Sequence, residues 1–562
     1  MQRPLNILWQ NVRPNSDLYI DIFDVSSHRI HPNVTKEMIN QMYREIMAST
    51  ELHKNNRAAN LSREEGKAKF AQDKYFEAME HFNGSVSFAE PGTEELGLAF
   101  ANRSSCFFYL NMPDECLVDI ELAKRHNYPG SLMRKLDARI VKCTELKADE
   151  HFKPGPHDIW EPKLSFNEHK DFAGVADCLK IRKNDEFGRH VITTCDLKIG
   201  QTILVENGYS IVPARKNTGR SRCLYCYKAC MNFIACKNCM CMIFCNEGCM
   251  EKSFHKQECN RPAALSRKET FDLIMRMIFN INADFPDVDA LNELVKVLLE
   301  NKKPPTDLTP SQMNFCSLFQ LAHNHEKLSA NQLTCLRSAT GVTLNVLMQY
   351  DEFSLKYRST AHRRFLQHLI LHLFHVAEHA IELFEYGQDG DGERMANYEQ
   401  RQFARGIYPF GSYINHSCVP NVYWFNVDGR LICKVIRPIK KGEQIFRSYV
   451  PGHHSFEQPL ELKRELDERY HFKCECFLCT SELWTPLTNE VNLSRDPLYE
   501  FGLQPSAMTI KRFRKLTRSE VLSYEKKAIE FLEKYDRFHP VNDTIVMQNN
   551  LQIMWNVLAS RY

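Results

Sequence analysis

The chain has 562 residues, of which 43% are hydrophobic and 25% charged, and its 72 basic and 70 acidic residues leave a net charge of +2. That length suits three or four domains of ordinary size, and the balanced charge excludes a chain-wide basic field for nucleic acid. The most apolar later stretch, Leu366 to Phe374, is interrupted by His368 and His372 and is too polar to span a bilayer, so no membrane partner is expected.

Residues 1–55 carry mixed helical signals and no usable motif, and MQRPLNILWQNVRPN has no apolar run long enough for a signal peptide. With 21 cysteines and no secretion signal, the chain is expected in a reducing compartment, where thiols serve metals rather than disulfides. Residues 56–148 read as paired helices. Gly66, Phe70, Tyr75, Ala78 and Phe82 mark one helix–turn–helix, and Leu98, Asn102, Arg103, Leu110, Asp119, Ala123 and Pro129 a second, about 34 residues on, with a further helix from Ser131. This period, with small residues where helices cross, resembles tetratricopeptide repeats. A linker rich in Pro, Gly and acidic residues follows at 149–170. Residues 171–219 contain strand signals at Val191–Thr194 and Thr202–Val205, hinged by Leu197-Lys198-Ile199-Gly200-Gln201. After a cysteine-rich module at 220–260, residues 261–385 read as helices, with Phe271, Leu273, Ile274, Met277 and Ile278 at helical spacing. Asp389-Gly390-Asp391-Gly392 is a polar break. In 386–452 strands resume at Val422–Phe425, turn at Asp428-Gly429 and continue over Leu431–Ile436, with a second hinge at Ile439-Lys440-Lys441-Gly442-Glu443. Residues 453–482 form a second cysteine-bearing loop, and 483–562 end in helical sequence from Arg518.

The cysteine-rich module holds four tight pairs: Cys223-x2-Cys226, Cys236-x2-Cys239, Cys245-x3-Cys249 and His255-x3-Cys259. A pair two or three residues apart clamps one edge of a tetrahedral Zn²⁺, and two pairs complete a site. Seven Cys and one His therefore satisfy two closed zinc sites, and Cys230 and Cys241 read as spectators. Free or disulfide-bonded cysteines are the blander reading, but four consecutive pairs at ligand spacing seldom arise by chance. Arg215, Lys216, Arg220, Arg222 and Lys228 make a short basic cluster that suits a solvated loop, and nothing beside it supplies base-edge specificity. Downstream, Cys474-x-Cys476-x2-Cys479 is one thiolate short of a structural site, and Cys418 is the natural fourth.

Asn415-His416-Ser417-Cys418-x-Pro420-Asn421, then Gly442-Glu443-x-Ile445-x-x-Ser448-Tyr449, then the Cys474–Cys479 tail resemble the SET domain of protein lysine methyltransferases. The four Cys/His pairs resemble the MYND module, and the combination resembles the SET and MYND domain (SMYD) family. With its tetratricopeptide-like start and Gly188-Arg189-His190-Val191, the chain is most like that family's fourth member. The resemblance covers about residues 62–482. The fold it implies is α+β: a β-rich SET domain with an inserted MYND zinc module and helical insert, flanked by N-terminal helical hairpins and a short C-terminal helical region.

By position, the resemblance implies interleaved zinc pairing: Cys223, Cys226, Cys245 and Cys249 on one ion, Cys236, Cys239, His255 and Cys259 on a second, and Cys418, Cys474, Cys476 and Cys479 on a third. It implies S-adenosylmethionine contacts from Arg189, Ser412, Ile414, Asn415, His416, Tyr449 and Phe472, with Tyr449, Asn415 and His416 as catalytic residues. Methyl transfer from a sulfonium depends mainly on alignment. The Asn415 amide suits the cofactor's amine and carboxylate, and an apolar channel walled by Phe472 disfavours the charged form of a lysine whose solution pKa is about 10.4. The Tyr449 hydroxyl can orient the amine. His379, aligned where the family has Asn, and His190, where Gly is common, place activity rather than fold in question.

His368, His372, His375 and His379 share one helical stripe, read here as a half-buried helix face rather than a metal site. Arg63, Lys67, Asn102, Gly130 and Arg134 match the positions with which tetratricopeptide relatives clamp the acidic C-terminal peptide of heat-shock chaperones, although Lys67 and Gly130 depart from that pattern. The expected partners are a protein substrate with a target lysine, proline-rich peptides through the MYND module and a chaperone tail through the helical repeats; nucleic acid is not expected. Location in cytoplasm and nucleus is expected. The competing reading is a catalytically weak or inactive adaptor that recruits chaperone or transcriptional-repressor complexes.

Overall fold

The computed structural model describes residues 53–149, 161–213, 222–259 except 229 and 241, 269–386 except 301 and 322–326, 401–449, 459–481, 493, 495–499, 513 and 516–559, with the strand pair Phe23–Asp24 and Arg29–Ile30. Most of the 1–55 segment and of the linker, the 389–392 break, Arg215, Lys216, Arg220, Cys241 and the His379 side chain lie outside the described residues. Two compact units form: residues 46–159 with 213–267, and residues 160–212 with 268–560 and 1–45.

The first unit opens with antiparallel helices α1 (Asn56–Phe70), α2 (Tyr75–Phe88), α3 (Glu94–Tyr109), α4 (Pro113–Arg125) and α5 (Met133–Ala148). Asn55 caps α1 by accepting from the Ala58 N–H at 3.1 Å, and Pro113 begins α4, where its missing N–H costs nothing. Asp73, Asn111 and Asn127 at the helix ends take positive φ of 59°, 56° and 53°, a conformation that Asx side chains tolerate. Gly66 permits the α1–α2 crossing, since a Cβ there would lie 2.6 Å from the Phe82 ring. The core of Ala78, Phe82, Phe100, Phe107, Ile120 and Leu136 also takes in Phe233 and Ile243 of the cysteine-rich module. That module, inserted by sequence between strands of the other unit, therefore folds onto the hairpins.

In the second unit, β1 (Leu179–Asn184) and β2 (Gly188–Thr193) form a hairpin, followed by β3 (Thr202–Asn207) and β4 (Ser210–Pro213). Helices Glu269–Asp284, Val288–Leu299, Pro310–Phe319, Ala330–Leu347, Asp351–Lys356 and Thr360–Ala380 fill most of the expected helical span. Thr309 with Gln312, and Ser329 with Gln332, close capping boxes at two of their N-termini. The span ends earlier than expected: β5 (Ile381–Tyr386) is a strand, because β6 (Arg401–Ile407) supplies the antiparallel partner that a local reading cannot see. The remaining strands are β7 (Asn415–His416), β8 (Val422–Val427), β9 (Arg430–Val435) and β10 (Phe446–Arg447). β8, β9 and β3 form one sheet, β4, β6 and β5 another.

The β8–β9 turn uses Asp428 and Gly429 at φ 50° and 74°, both left-handed as a tight hairpin requires. The two similar hinges pair with each other: Leu197 and Ile439 exchange backbone hydrogen bonds of 2.8 and 3.1 Å, each followed by a glycine at positive φ, Gly200 at 85° and Gly442 at 90°. The sheet is covered by helices Arg518–Tyr535 and Asn542–Ala559, whose fully buried Trp555 packs on Tyr423 and Phe425. Among the described residues no helix is long and apolar enough to cross a membrane.

Candidate active site and metal centres

β7 and β10 run parallel, pairing Asn415 with Phe446 and His416 with Arg447. Two-residue strands cannot hold such a pairing alone, and Asn421 reinforces it. Its side-chain oxygen accepts the Phe446 N–H at 2.8 Å, its side-chain NH₂ donates to the Gln444 carbonyl at 2.9 Å, and its own N–H donates to the Phe446 carbonyl at 3.1 Å. The Ile445 N–H donates to the Val191 carbonyl at 2.8 Å, tying this crossing to β2 and so to Arg189.

The crossing brings Tyr449 to the Asn415–His416 segment. Its hydroxyl donates to the Ile414 carbonyl at 3.3 Å, and its backbone N–H donates to His416 Nδ1 at 3.0 Å. His416 Nδ1 is therefore an acceptor and the ring is neutral with its proton on Nε2, which lies 3.4 Å from Cys418 Sγ. Burial pushes the His416 pKa down to about 4, consistent with that neutral form. An aromatic wall surrounds the phenol: ring centroids lie 4.8 Å apart for Tyr449 and Tyr470 and 6.1 Å for Tyr449 and Phe472, while His416 and Phe472 are 6.0 Å apart.

The other residues singled out from sequence sit around the same segment. Asn415 Nδ2 donates to the Phe187 carbonyl at 3.0 Å, and the Arg189 guanidinium lies 5.8 Å from the Tyr413 ring. The Ser412 hydroxyl donates to the Tyr408 carbonyl at 2.7 Å, and Ile414 is buried. Gly188, at φ 61°, borders open space: a Cβ there would meet nothing within 4 Å. His190 is buried, edge-on to Phe187.

Asn421 was read as part of a motif but given no role of its own, and two further residues escaped the sequence reading. Glu206 on β3 is buried, and its two oxygens accept the N–H groups of Phe410 and Gly411 at 2.8 and 2.9 Å, fixing the turn that leads into Ser412–Asn415. Burial pushes the Glu206 pKa up to about 7 against the pull of those two N–H groups. Arg447 lies buried beside Tyr449. The available signals were an acid directly after the apolar run Thr202–Val205 and an arginine two residues before the tyrosine.

Three groups of ligand atoms converge, each within 4.8 Å: Cys223, Cys226, Cys245 and Cys249; Cys236, Cys239, His255 and Cys259; Cys418, Cys474, Cys476 and Cys479. The first two groups interleave the sequence pairs. Separations such as 3.7 Å for Cys226–Cys245, 3.5 Å for Cys236–Cys259, 3.3 Å for Cys239 Sγ–His255 Nε2 and 3.8 Å for Cys418–Cys474 approach the edge of about 3.8 Å of a tetrahedron with Zn–S bonds of about 2.3 Å. They are far beyond a disulfide's ~2.05 Å. Cys230 joins no group. His372 stacks on Phe319 at 4.0 Å and bonds its carbonyl at 2.8 Å, and the histidine stripe enters no such group among the described residues.

The SET domain family matches residues 188–450, bracketing the cysteine-rich module. The chain is 22% identical over 587 residues to Protein-lysine N-methyltransferase SMYD4 of Mus musculus, covering 84% of this chain and 72% of that one. It is 23% identical to the SMYD4 protein of Danio rerio, covering 75% of this chain and 65% of that one. The chain is similar to proteins of the SET and MYND domain family. Against Histone-lysine N-methyltransferase ASHR1 of Arabidopsis thaliana identity is 22% over 54% of this chain and 55% of that one. The SET match is continuous in sequence, yet part of it, residues 213–267, folds with the helical hairpins.

Proposed function

We infer that the protein is an S-adenosylmethionine-dependent protein-lysine N-methyltransferase. The observation that carries this reading is the parallel pairing of Asn415–His416 with Phe446–Arg447, which brings the Tyr449 hydroxyl to the Ile414 carbonyl. Arg189 and Asn415 offer a cation and an amide suited to the carboxylate and amine of the cofactor, and the open space at Gly188 leaves room beside them. Ser412, Ile414, His416, Tyr449 and Phe472 complete the proposed cofactor site. When bound, S-adenosylmethionine supplies the methyl group on a sulfonium. The aromatic wall of Tyr449, Tyr470 and Phe472 excludes water and disfavours a charged ammonium. Tyr449 orients the amine, while His416, engaged through both ring nitrogens, positions Tyr449. The three thiolate-rich groups are proposed to hold one Zn²⁺ each. Four protein ligands and no open position make such sites structural.

The substrate is a protein bearing the target lysine, and action in cytoplasm and nucleus is proposed. Proline-rich peptides at the zinc module and an acidic chaperone tail at Arg63, Lys67, Asn102, Gly130 and Arg134 are proposed as further partners. An adaptor reading draws on one observation: the zinc module and the hairpins share a core and form a unit of their own. Calorimetry with S-adenosylmethionine separates the two, since stoichiometric binding is expected of the enzyme and absence of binding favours the adaptor. Tyr449→Phe is expected to lower turnover about 100-fold or more with cofactor affinity and melting temperature little changed; undiminished methylation would remove Tyr449 from its role.

A further inference from the structure

Arg447 is 4% exposed, a cation taken out of water beside the proposed reaction centre. Its guanidinium carbon lies 3.1 Å over the Trp424 ring and 4.4 Å over the Tyr449 ring. Its Nε donates to the Ile414 carbonyl at 3.4 Å, the acceptor that also takes the Tyr449 hydroxyl at 3.3 Å. A planar, weakly hydrated guanidinium can lie between two rings while donating in its own plane; an ammonium cannot do both.

We propose that Arg447 is a positioning residue that clamps Tyr449 against Trp424 and Ile414, and that its fixed positive charge keeps the incoming lysine amine neutral. The proposal rests on the methyltransferase reading. The amine gives one proton to water and then uses its lone pair to form the N–C bond as the sulfonium C–S bond breaks. Positive charge passes from sulfur to nitrogen without a change in total, and a proton leaves the methylated product afterwards. The step most sensitive to a neighbouring cation is thus the first loss of a proton, because two like charges in a water-poor pocket repel far more than in solution.

Among the described residues, several titratable groups lie against Arg447 and Tyr449. His416 is neutral by its hydrogen bonding, Tyr470 donates its hydroxyl to the Tyr449 carbonyl, and buried Cys433 lies on β9. The cluster of Cys418, Cys474, Cys476 and Cys479 stands behind Tyr449 and contributes charge of the opposite sign when deprotonated. Arg189 is a second cation of the proposed site, 5.8 Å from the Tyr413 ring, but Arg447 is the one packed on Tyr449, so its charge is the one that bears most directly on an ammonium there.

The test uses the full chain, labelled S-adenosylmethionine and a library of lysine-containing peptides, from which the best-methylated peptide is taken forward. The pH dependence of kcat, which reports groups in the bound complex, is compared for wild type, Arg447→Lys and Arg447→Gln. The lysine variant is expected to turn over more slowly with the ascending limb where wild type has it. In the glutamine variant the limb is expected to move up by about one pH unit. Coincident limbs for wild type and Arg447→Gln would overturn the proposal while leaving the methyltransferase reading intact. Wild type that methylates no peptide would overturn both. Should Arg447→Gln not fold, Arg447→Met is read in the same way, with melting temperature and cofactor affinity as checks on folding.

Discussion

Glu206 illustrates how far a single residue's chemistry can be set by its surroundings. Its folded pKa of about 7 exceeds the ordinary 4.5, chiefly through burial. The folded protein therefore binds this proton more tightly than the unfolded chain does. Stability from this group is full below about pH 4.5 and is lost as pH rises through about 7, by roughly 3 kcal/mol in all. Glu206→Gln cannot ionise, so its melting temperature relative to wild type is expected to rise between pH 5 and pH 8. An equal gap at both pH values would refute the assignment. Sequence showed an acid beside an apolar run, but its acceptor role depends on Phe410 and Gly411, some two hundred residues away.

At the scale of elements, the junction of zinc module and helical hairpins turns on one buried ion pair. Arg103 grips Asp119 through two bonds of 2.7 and 2.8 Å and donates to the Phe233 carbonyl at 2.9 Å. Asn232 donates to Asp119 at 2.8 Å from the module side. Both charged side chains are 0% exposed, so removing one leaves a buried unpaired charge. Asp119→Ala is expected to destabilise this unit by about 3–5 kcal/mol, whereas Arg103→Met combined with Asp119→Leu should recover much of that loss. Calorimetric melting checks the pair, and equal losses in the single and double variants would contradict it. Arg103 and Asp119 were visible in sequence as repeat-pattern residues, but not as a clasp on Asn232 and Phe233, since nothing local links positions more than a hundred residues apart. Conversely the Asp428-Gly429 hairpin was legible, because a tight turn is decided within four residues. The strand Ile381–Tyr386 was not, because its partner strand begins only at Arg401.

For the whole molecule, the proposed metal content is a direct readout. Wild type is expected to carry three zinc ions per chain and Cys418→Ser two, with the melting temperature of the SET unit lowered and that of the hairpin unit retained. Metal analysis finding an unchanged content in Cys418→Ser would exclude the third site. The ligand pairs were legible because residues two or three apart share one turn of chain, so spacing alone encodes a chelating edge. The fold class and the resemblance to SET and MYND proteins were legible for a related reason: the motifs are short and contiguous. Spacing alone left open which edges close on each other, and only the resemblance implied their interleaving; Asn421's clamp on β10, Glu206 beneath the Ser412–Asn415 turn and Arg447 between Trp424 and Tyr449 were decided only by tertiary structure. Burial and hydrogen-bond satisfaction act on distance in space, and for these residues neighbours in space are strangers in sequence.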